Sequence, residues 1–237
     1  MRKAVIIGAT SGIGRELARA MAAGGYSVGI AGRRLELLQE LQKEFPGKFH
    51  IKRIDVVLPE AGGLLKELIT EMDGTDIIVI CSGIGFVNKD LEWAKEKETI
   101  DVNVSGFAAM ANASFEYFRG KGAGHIVGIS SIAAIRGGGD APAYNASKAF
   151  VSNYLEGLRQ MAAKMKLPLT VTDIKPGFVD TVMAQGEGLF WVAPAEKAAK
   201  QILEAVEKKK DHAYVTKRWR LVAWVLKLLP GRLYCKI

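Results

Sequence analysis

The chain has 237 residues, of which 49% are hydrophobic and 24% charged. This length suits one large α/β domain, and the near-average composition excludes a disordered or collagen-like chain. The net charge is +8, from 33 basic and 25 acidic residues. Residues 208–237 hold nine of the basic residues and one of the acidic residues, so residues 1–207 hold 24 of each and are neutral overall. A nucleic-acid-binding protein more often carries positive charge over its body, so we expect no nucleic-acid partner.

Cysteine usage and the amino-terminal segment indicate a reducing compartment. Cys81 and Cys235 lie far apart and form neither a metal-binding spacing nor a disulfide framework. We interpret Cys81 as a small buried residue at a strand end rather than a redox site. The first apolar run is too short for a signal peptide, and no stretch reaches the ~18–20 apolar residues of a membrane-spanning helix. We therefore expect a cytoplasmic protein.

Short apolar runs alternate with segments of helical periodicity along the chain. Strands are predicted at residues 4–7, 27–31, 49–54, 76–80, 125–129, 169–174 and 213–215. Helices are predicted at 12–23, 35–45, 60–72, 91–118 with a break near 104–106, 143–165 and 194–207. Because the strands are almost continuous apolar runs, both faces of a parallel sheet should be covered. The pattern predicts one three-layer, doubly wound α/β domain over 1–237, with a basic amphipathic segment at 208–237.

A glycine-rich turn joins the first predicted strand to the first helix. Glycines let the backbone turn sharply and approach a pyrophosphate, while the helix amino end offers N–H groups and a positive dipole to that anion. Glycines also occur at ordinary strand–helix turns, so the position in the first βα unit matters more than the G-x-x-x-G-x-G spacing. We predict that this turn binds a dinucleotide through Gly8, Thr10, Ser11, Gly12, Ile13 and Gly14.

The end of the second predicted strand indicates which dinucleotide is preferred. A carboxylate about 20 residues beyond the glycines usually binds the 2′-hydroxyl of NAD. This chain has Arg33 and Arg34 there instead, and two guanidinium groups would attract the 2′-phosphate of NADP. Arg15 would add a third positive group. We therefore predict that NADP(H) is preferred and NAD(H) is possible; the alternative is that Arg33 and Arg34 are solvated residues at a helix start.

Tyr144 and Lys148 lie one turn apart at the start of a predicted helix, so their side chains share a face. A nearby ammonium favours the phenolate and lowers the tyrosine pKa, which suits proton transfer to or from an alcohol. Ser131 follows a strand whose carboxyl end would face the ligand crevice, where its hydroxyl would hydrogen-bond the substrate oxygen. Taken alone, most Y-x-x-x-K pairs are surface residues.

In this order and spacing, the motifs resemble those of the short-chain dehydrogenase/reductase family, in its short single-domain branch. The resemblance implies a Rossmann-type fold. Ser131 is preferred to Ser130 because it lies 13 residues before Tyr144, the usual family separation. The matching residues are Gly8, Gly12 and Gly14 in the glycine turn, Asp55 and Val56 beside the adenine, Asn103, Ser131, Tyr144 and Lys148 as the catalytic tetrad, and Pro176, Gly177 and Thr181 at the nicotinamide.

The resemblance also implies a role for each member of the tetrad. Tyr144 would be the general acid when a carbonyl is reduced, and Lys148 would lower its pKa and hydrogen-bond the nicotinamide ribose. Ser131 would polarise the carbonyl, and Asn103 would hold a water molecule in the proton relay. The implied enzyme is an NADP-preferring oxidoreductase that interconverts a carbonyl and an alcohol. Alternatives are a non-catalytic dinucleotide-binding sensor or regulatory protein, a sugar-nucleotide epimerase or dehydratase, and a membrane-surface adaptor.

The chain departs from the family pattern near the cofactor. Ile7 stands where the family usually has threonine before its first glycine. Ile80-Cys81-Ser82-Gly83 replaces the family's N-N-A-G after the fourth strand, which leaves Ser82 and Gly83 as the candidate cofactor contacts there. We expect altered hydrogen bonding around the adenosine ribose, with the chemistry unchanged.

The substrate lid, residues 182–193, is shorter than is common in the family. Gly186, Gly188, Phe190 and Trp191 suit a mobile loop with an apolar tip. The glycine-rich residues 136–140 would form the opposite rim of the cleft. A short lid predicts an open cleft and an apolar or bulky carbonyl or alcohol substrate.

Residues 217–229, KRWRLVAWVLKLL, are followed by Pro230 and Gly231. As a helix, this segment has a narrow polar stripe of Lys217, Arg220 and Lys227; it is too apolar to lie free in water and too short to span a bilayer. It is predicted to pack on its own domain or a partner subunit, to lie in a membrane interface, or to close the substrate cleft. Family members are often dimers or tetramers, so a homo-oligomer is also expected.

Overall fold

Seven parallel strands form one sheet in the computed structural model, which describes residues 2–183 and 190–235. The strands are β1 (Lys3–Ile7), β2 (Ser27–Gly32), β3 (Phe49–Arg53), β4 (Ile77–Ile80), β5 (Gly124–Ile129), β6 (Leu169–Pro176) and β7 (His212–Val215). Their order is β3-β2-β1-β4-β5-β6-β7, and each neighbouring pair is parallel. The chain reverses direction across the sheet between β1 and β4, which is where open α/β sheets bind their ligands.

The α-helices of the described residues lie between and after the strands. They are α1 (Gly12–Ala23), α2 (Leu35–Glu44), α3 (Ala61–Glu71), α4 (Trp93–Ile100), α5 (Phe107–Lys121), α6 (Pro142–Lys164), α7 (Ala195–Glu207), α8 (Trp219–Leu228) and α9 (Gly231–Tyr234). The predicted helix at 91–118 is thus two helices, joined by a π-helical turn at Asp101–Gly106. Such turns often mark functional positions, and this one contains Asn103.

Alternate residues of the strands feed two separate hydrophobic cores. In β1, Val5 and Ile7 join the core formed with α3, α5 and α6, whereas Ala4 and Ile6 join the core formed with α1, α2 and α7. The inner strands are therefore buried on both faces, which explains their continuous apolar runs in the sequence, whereas the edge strands β3 and β7 are only partly buried. The predicted three-layer, doubly wound Rossmann-type fold is confirmed.

The main differences from the predicted elements lie around the carboxyl edge of the sheet. β6 continues two residues beyond its predicted end, to Pro176, and a 3₁₀ turn forms at Ile132–Ile135. Neither this turn nor the four-residue α9 was predicted, because such short segments carry no periodic signal. None of the described helices is long and apolar enough to cross a membrane.

Candidate active site

The glycine turn after β1 packs directly against the loop after β4. Gly8 has a φ of +94°, and a Cβ added to it would lie 2.5 Å from the backbone nitrogen of Ser82. A Cβ on Gly14 would lie 2.1 Å from the Gly8 carbonyl oxygen. Because no side chain fits at either position, the sequence motif is required by the turn itself.

The amino end of α1 is open to an anion. Ser11 is the N-cap residue, but its side chain makes no capping hydrogen bond, and the first turn of α1 contains no acidic residue. The first N–H groups and the positive end of the helix dipole are therefore available to a phosphate. A Cβ on Gly12 would lie 3.0 Å from the Thr181 methyl group, so the fold brings Thr181 next to the glycine turn, as predicted for a shared cofactor site.

Arg33 and Arg34 are exposed at the end of β2, beside the glycine turn. The Arg34 guanidinium donates hydrogen bonds to the hydroxyls of Thr10 and Ser11, at 2.9 and 3.0 Å. Neither arginine forms an ion pair with any residue that the structure describes. Both positive charges thus remain available to an anionic ligand.

Arg15 does not join this pair, contrary to the prediction of a third positive group. Its Nη2 atom lies 3.2 Å from a Glu44 carboxylate oxygen and 4.0 Å from one of Glu40. These two carboxylates of α2 are nearer than any site beside the glycine turn, so they neutralise the guanidinium.

The ends of β3 and β4 supply the candidate adenosine contacts. The Ile54 N–H donates to the Gly32 carbonyl at 3.1 Å, which places Asp55 and Val56 beside the end of β2. Across the crossover, the buried Ser82 hydroxyl has no hydrogen-bond partner among the described residues. A buried polar atom without a partner indicates a missing ligand, so the residues present fit a dinucleotide.

Ser131, Tyr144 and Lys148 converge just beyond the carboxyl end of β5. The Ser131 hydroxyl lies close enough to Tyr144 to act on its pKa, and it accepts a hydrogen bond from the Ala133 N–H at 3.1 Å. The Lys148 Nζ atom lies 5.7 Å from the centre of the Tyr144 ring and donates to the Ile129 carbonyl at 3.0 Å. A Cβ on Gly85 would lie 2.7 Å from the Tyr144 ring, so Gly85, which the motif analysis did not include, lets the ring pass the loop after β4.

Burial dominates the electrostatics of this cluster. Burial raises the pKa of Tyr144, and the interaction with the Ser131 side chain partly offsets this increase in pKa. Burial lowers the pKa of Lys148 to about 8, against the opposing effects of Cys81 and Asp173. The pKa of the Cys81 thiol is raised to about 11 by burial, which favours the unreactive thiol, although the residue as a whole is half-buried rather than buried as expected.

Asn103 holds the loop after β4 against α6. Its amide donates to the Ile84 carbonyl at 2.7 Å and accepts from the Ile84 N–H at 2.9 Å. The same amide donates to the Ser147 hydroxyl at 3.0 Å. A Cβ on Gly83 would lie 3.2 Å from Lys148 Nζ and 3.3 Å from Asn103 Oδ1, so the fold brings these three residues together.

The carboxyl end of β6 and the flanks of the lid form the opposite wall. The Gly177 N–H donates to the Val215 carbonyl at 2.6 Å, which fixes Pro176 and Gly177 at the sheet edge. A β-bridge between Val179 and Ala193 closes the base of the lid. Gly186 and Gly188 lie outside the described residues, so the predicted mobile tip is not described there.

An aromatic cluster at this wall was not predicted. The Trp219 ring lies 5.2, 5.1 and 6.1 Å from the ring centres of Phe178, Phe190 and Trp191. A Cβ on Gly177 would lie 2.0 Å from Trp219, so α8 packs on the predicted nicotinamide segment. The interpretation that residues 217–229 pack on their own domain is thus confirmed for this face of α8.

The carboxyl end of α8 is attached to the predicted opposite rim. The Arg136 guanidinium donates to the Leu229 carbonyl at 3.0 Å and lies 4.5 Å from the centre of the Tyr234 ring. The Tyr234 hydroxyl donates to the Gly137 carbonyl at 2.5 Å. α8 and α9 therefore join the lid flank to the rim at 136–137.

A buried polar network lies behind the catalytic serine and also escaped the motif analysis. Asp173 accepts hydrogen bonds from Ser130, from Ser152 at 2.7 Å, and from the Lys175 ammonium. Asp173 and Lys175 are two residues apart in β6, so their side chains share a face, which is the sequence signal that could have found them. Because Ser130 is held in this network, its hydroxyl is engaged away from Tyr144, which supports the choice of Ser131.

The comparisons with known proteins agree with this geometry. The short chain dehydrogenase family profile matches residues 2–189. An uncharacterised oxidoreductase of Myxococcus xanthus is 37% identical, over 75% of this chain and 72% of its own. One of Mycobacterium tuberculosis is 30% identical, over 98% of this chain and 95% of its own. Among solved structures, the closed form of serine dehydrogenase complexed with NADP+ has a TM-score of 0.76 and 25% identity, over 86% of this chain and 88% of that one. The chain belongs to the short-chain dehydrogenase/reductase family and is an NAD(P)-dependent oxidoreductase.

Proposed function

We propose that this protein interconverts a carbonyl and an alcohol, with NADP(H) preferred and Tyr144 as the general acid and base. The observation that carries the proposal is the convergence of Ser131, Tyr144 and Lys148 beside the glycine turn and the end of β6. The candidate cofactor residues Gly8, Thr10, Ser11, Gly12, Ile13, Gly14, Arg33, Arg34, Asp55, Val56, Ser82, Gly83, Pro176, Gly177 and Thr181 surround the same crossover.

Tyr144 is placed to move the proton. In reduction, its hydroxyl donates a proton to the substrate oxygen, and in oxidation the phenolate takes that proton back. The Ser131 hydroxyl, which lies beside Tyr144, donates a hydrogen bond to the same oxygen and fixes its position. The Lys148 ammonium stabilises the phenolate electrostatically, and Asn103 holds the loop after β4 and a relay water. The bound cofactor supplies the hydride.

The preference for NADP(H) rests on the two arginines at the end of β2. Arg33 and Arg34 are exposed and lack ion-pair partners among the described residues, and Arg34 lies across the glycine turn. A relative in the family, serine dehydrogenase, was solved with NADP+.

Fluorescence titration should show tighter binding of NADPH than of NADH. The double variant Arg33→Ala and Arg34→Ala should weaken NADPH binding about tenfold or more and leave NADH binding unchanged. As a control, Lys43→Ala removes an exposed cation of α2 and should change the binding of neither cofactor.

The substrate is proposed to be apolar or bulky. Phe178, Phe190 and Trp191 line the lid flank, and Ile132 and Ile135, which follow Ser131, pack in the same apolar cluster as Phe178. An apolar lining favours an apolar substrate through burial of its surface. A panel of aliphatic, aromatic and polar carbonyl compounds with NADPH tests this directly, and activity confined to small polar carbonyls would contradict it.

The catalytic role of Tyr144 is tested by Tyr144→Phe. Turnover should fall by about 10²–10⁴-fold because the proton donor is lost, while NADPH affinity stays the same because the ring remains. Full activity in this variant would refute the mechanism. The alternative is a non-catalytic dinucleotide-binding sensor, which no described feature of the site supports. Tight NADPH binding by the wild type without turnover of any compound in the carbonyl panel would favour that alternative.

We further propose a homo-oligomer in a reducing, cytoplasmic compartment. Trp93 and Ile100 of α4 and Met161 of α6 are exposed on two helices that pack together. These apolar side chains suit a contact between copies of the chain. Both cysteines of the described residues are free. Light scattering of the purified protein gives the oligomeric size, and a monomer would contradict this proposal.

A further inference from the structure

The helix α8 has two apolar faces, of which only one is covered. Trp219 and Ala223 are buried on the face that packs against the 3₁₀ turn after Ser131. The opposite face carries Leu221, Trp224, Val225 and Leu228, which are each more than half exposed. Their spacing of three, four and seven residues places them on one side of the helix. An apolar stripe of this kind in water indicates that a partner covers it.

Basic side chains surround this exposed stripe. No acidic residue occurs after Asp211, whereas Lys217, Arg218, Arg220, Lys227 and Arg232 lie within or beside α8 and α9. Among the described residues, Arg220, Lys227 and Arg232 form no ion pair. Lys217 pairs with Glu204, so, of the described residues, the unpaired cations beside this apolar face are Arg220, Lys227 and Arg232.

We propose that this face of α8 docks on an anionic lipid surface. Apolar side chains enter the headgroup boundary, tryptophan is favoured there, and flanking cations are attracted to anionic headgroups. α8 has ten residues, so it would lie in the plane of the surface rather than cross it. Its buried face and the contacts of Arg136 with its carboxyl end hold the helix in this orientation.

Charge argues against a second copy of the chain as the occupant. A symmetric contact would bring the same face of two copies together, and with it both sets of unpaired cations. No carboxylate in either segment after Asp211 would compensate them, so like charges would oppose the contact. An anionic surface supplies the missing negative charge.

The exposed stripe lies near the substrate cleft. The Arg218 guanidinium donates to the Trp191 carbonyl at 3.0 Å and lies 4.9 Å from the centre of its ring, so α8 is joined to the lid flank. Phe190 and Trp191 are also substantially exposed there. Docking would bring the cleft close to apolar substrates dissolved in the membrane, an inference that rests on the proposed function.

Vesicle sedimentation of the full-length protein tests the docking, and it does not depend on enzyme activity. We expect the protein to pellet with vesicles of phosphatidylcholine and phosphatidylglycerol, and much less with phosphatidylcholine alone or in high salt. Trp224→Ser with Leu228→Ser should weaken binding about tenfold or more. Arg220→Glu with Lys227→Glu should weaken it by at least about fivefold for each cation removed. Leu58→Ser, which removes an exposed apolar side chain from the segment before α3, should leave it unchanged.

Three outcomes would overturn the proposal. One is wild-type protein that stays in the supernatant with anionic vesicles. Another is equal weakening by Leu58→Ser. The third is a change in oligomeric size, seen by light scattering, when Trp224 and Leu228 are replaced, because the stripe would then be a subunit contact. NADPH titration of each variant confirms that it is folded. If the Trp224→Ser and Leu228→Ser variant fails to fold, the Arg220→Glu and Lys227→Glu variant tests the docking instead.

Discussion

Replacing Trp219 by alanine tests whether α8 is part of the folded domain. Trp219 is 2% exposed and contacts the rings of Phe178, Phe190 and Trp191. Loss of a buried tryptophan costs about 3–5 kcal/mol, and its indole N–H has no described hydrogen-bond partner, so removing that N–H offsets part of the cost. We therefore expect a loss near the lower end, about 3 kcal/mol. For a chain of this length, that lowers the Tm by about 6–12 °C.

Urea and thermal unfolding of Trp219→Ala and Trp224→Ala give a matched comparison on the same helix. Trp224 is 66% exposed, so its removal should change the free energy of unfolding by no more than about 0.5 kcal/mol. Trp219→Phe should cost less than Trp219→Ala, because it retains the ring contacts and removes the unpaired N–H. If Trp219→Ala were as stable as Trp224→Ala, α8 would not be docked on Gly177 in solution and the reasoning would fail.

Three further predictions concern residues on or beside the sheet. Burial lowers the pKa of His125 from 6.5 to about 4. The unfolded chain therefore binds a proton at this residue before the folded protein does, so the free energy of unfolding is unaffected above pH 6.5 and falls as the pH drops toward 4. In urea titrations, His125→Gln should lose about 3 kcal/mol less of its free energy of unfolding between pH 7 and pH 4 than the wild type. Gly14→Ala should weaken NADPH binding and destabilise the fold by about 1–3 kcal/mol or more, because the new Cβ would lie 2.1 Å from a carbonyl oxygen, whereas Gly63→Ala meets open space and should do neither. Asp173→Asn or Lys175→Met should each cost about 3–5 kcal/mol by leaving a buried charge unpaired, and the double variant should cost less than their sum in a double-mutant cycle.

Local motifs predicted most of the candidate site because its contacts are close in sequence or lie at strand ends. Gly14 needs glycine because a Cβ there would meet the carbonyl of Gly8, six residues away, and Gly8 has a positive φ that favours glycine. Tyr144 and Lys148 share a helix face, and Ser131 follows a strand whose end must face the crevice once the sheet is parallel. Each inference therefore required only the fold class and a short spacing.

Side-chain partners far apart in sequence were not predictable in this way. Arg15 stands next to the glycine turn, yet Glu44, 29 residues away, determines where its guanidinium lies. The amide of Asn103 bonds to Ile84 and Ser147, which are 19 and 44 residues away, and its role in holding a relay water stays a prediction. In both cases the residue type was informative, but the competing partner came from packing that a motif does not encode.

The segment at 217–229 shows why a sequence can indicate an interaction without indicating its direction. Apolar residues surround most of this helix, so periodicity alone left self-packing, a membrane interface and cleft closure open. The aromatic rings of Phe178 and Phe190 select the face with Trp219, because only that face meets an existing apolar wall. Once that face is covered, the stripe with Trp224 faces outward together with the unpaired cations. The two faces therefore need different explanations: one packs on the domain, and the other is the proposed lipid contact.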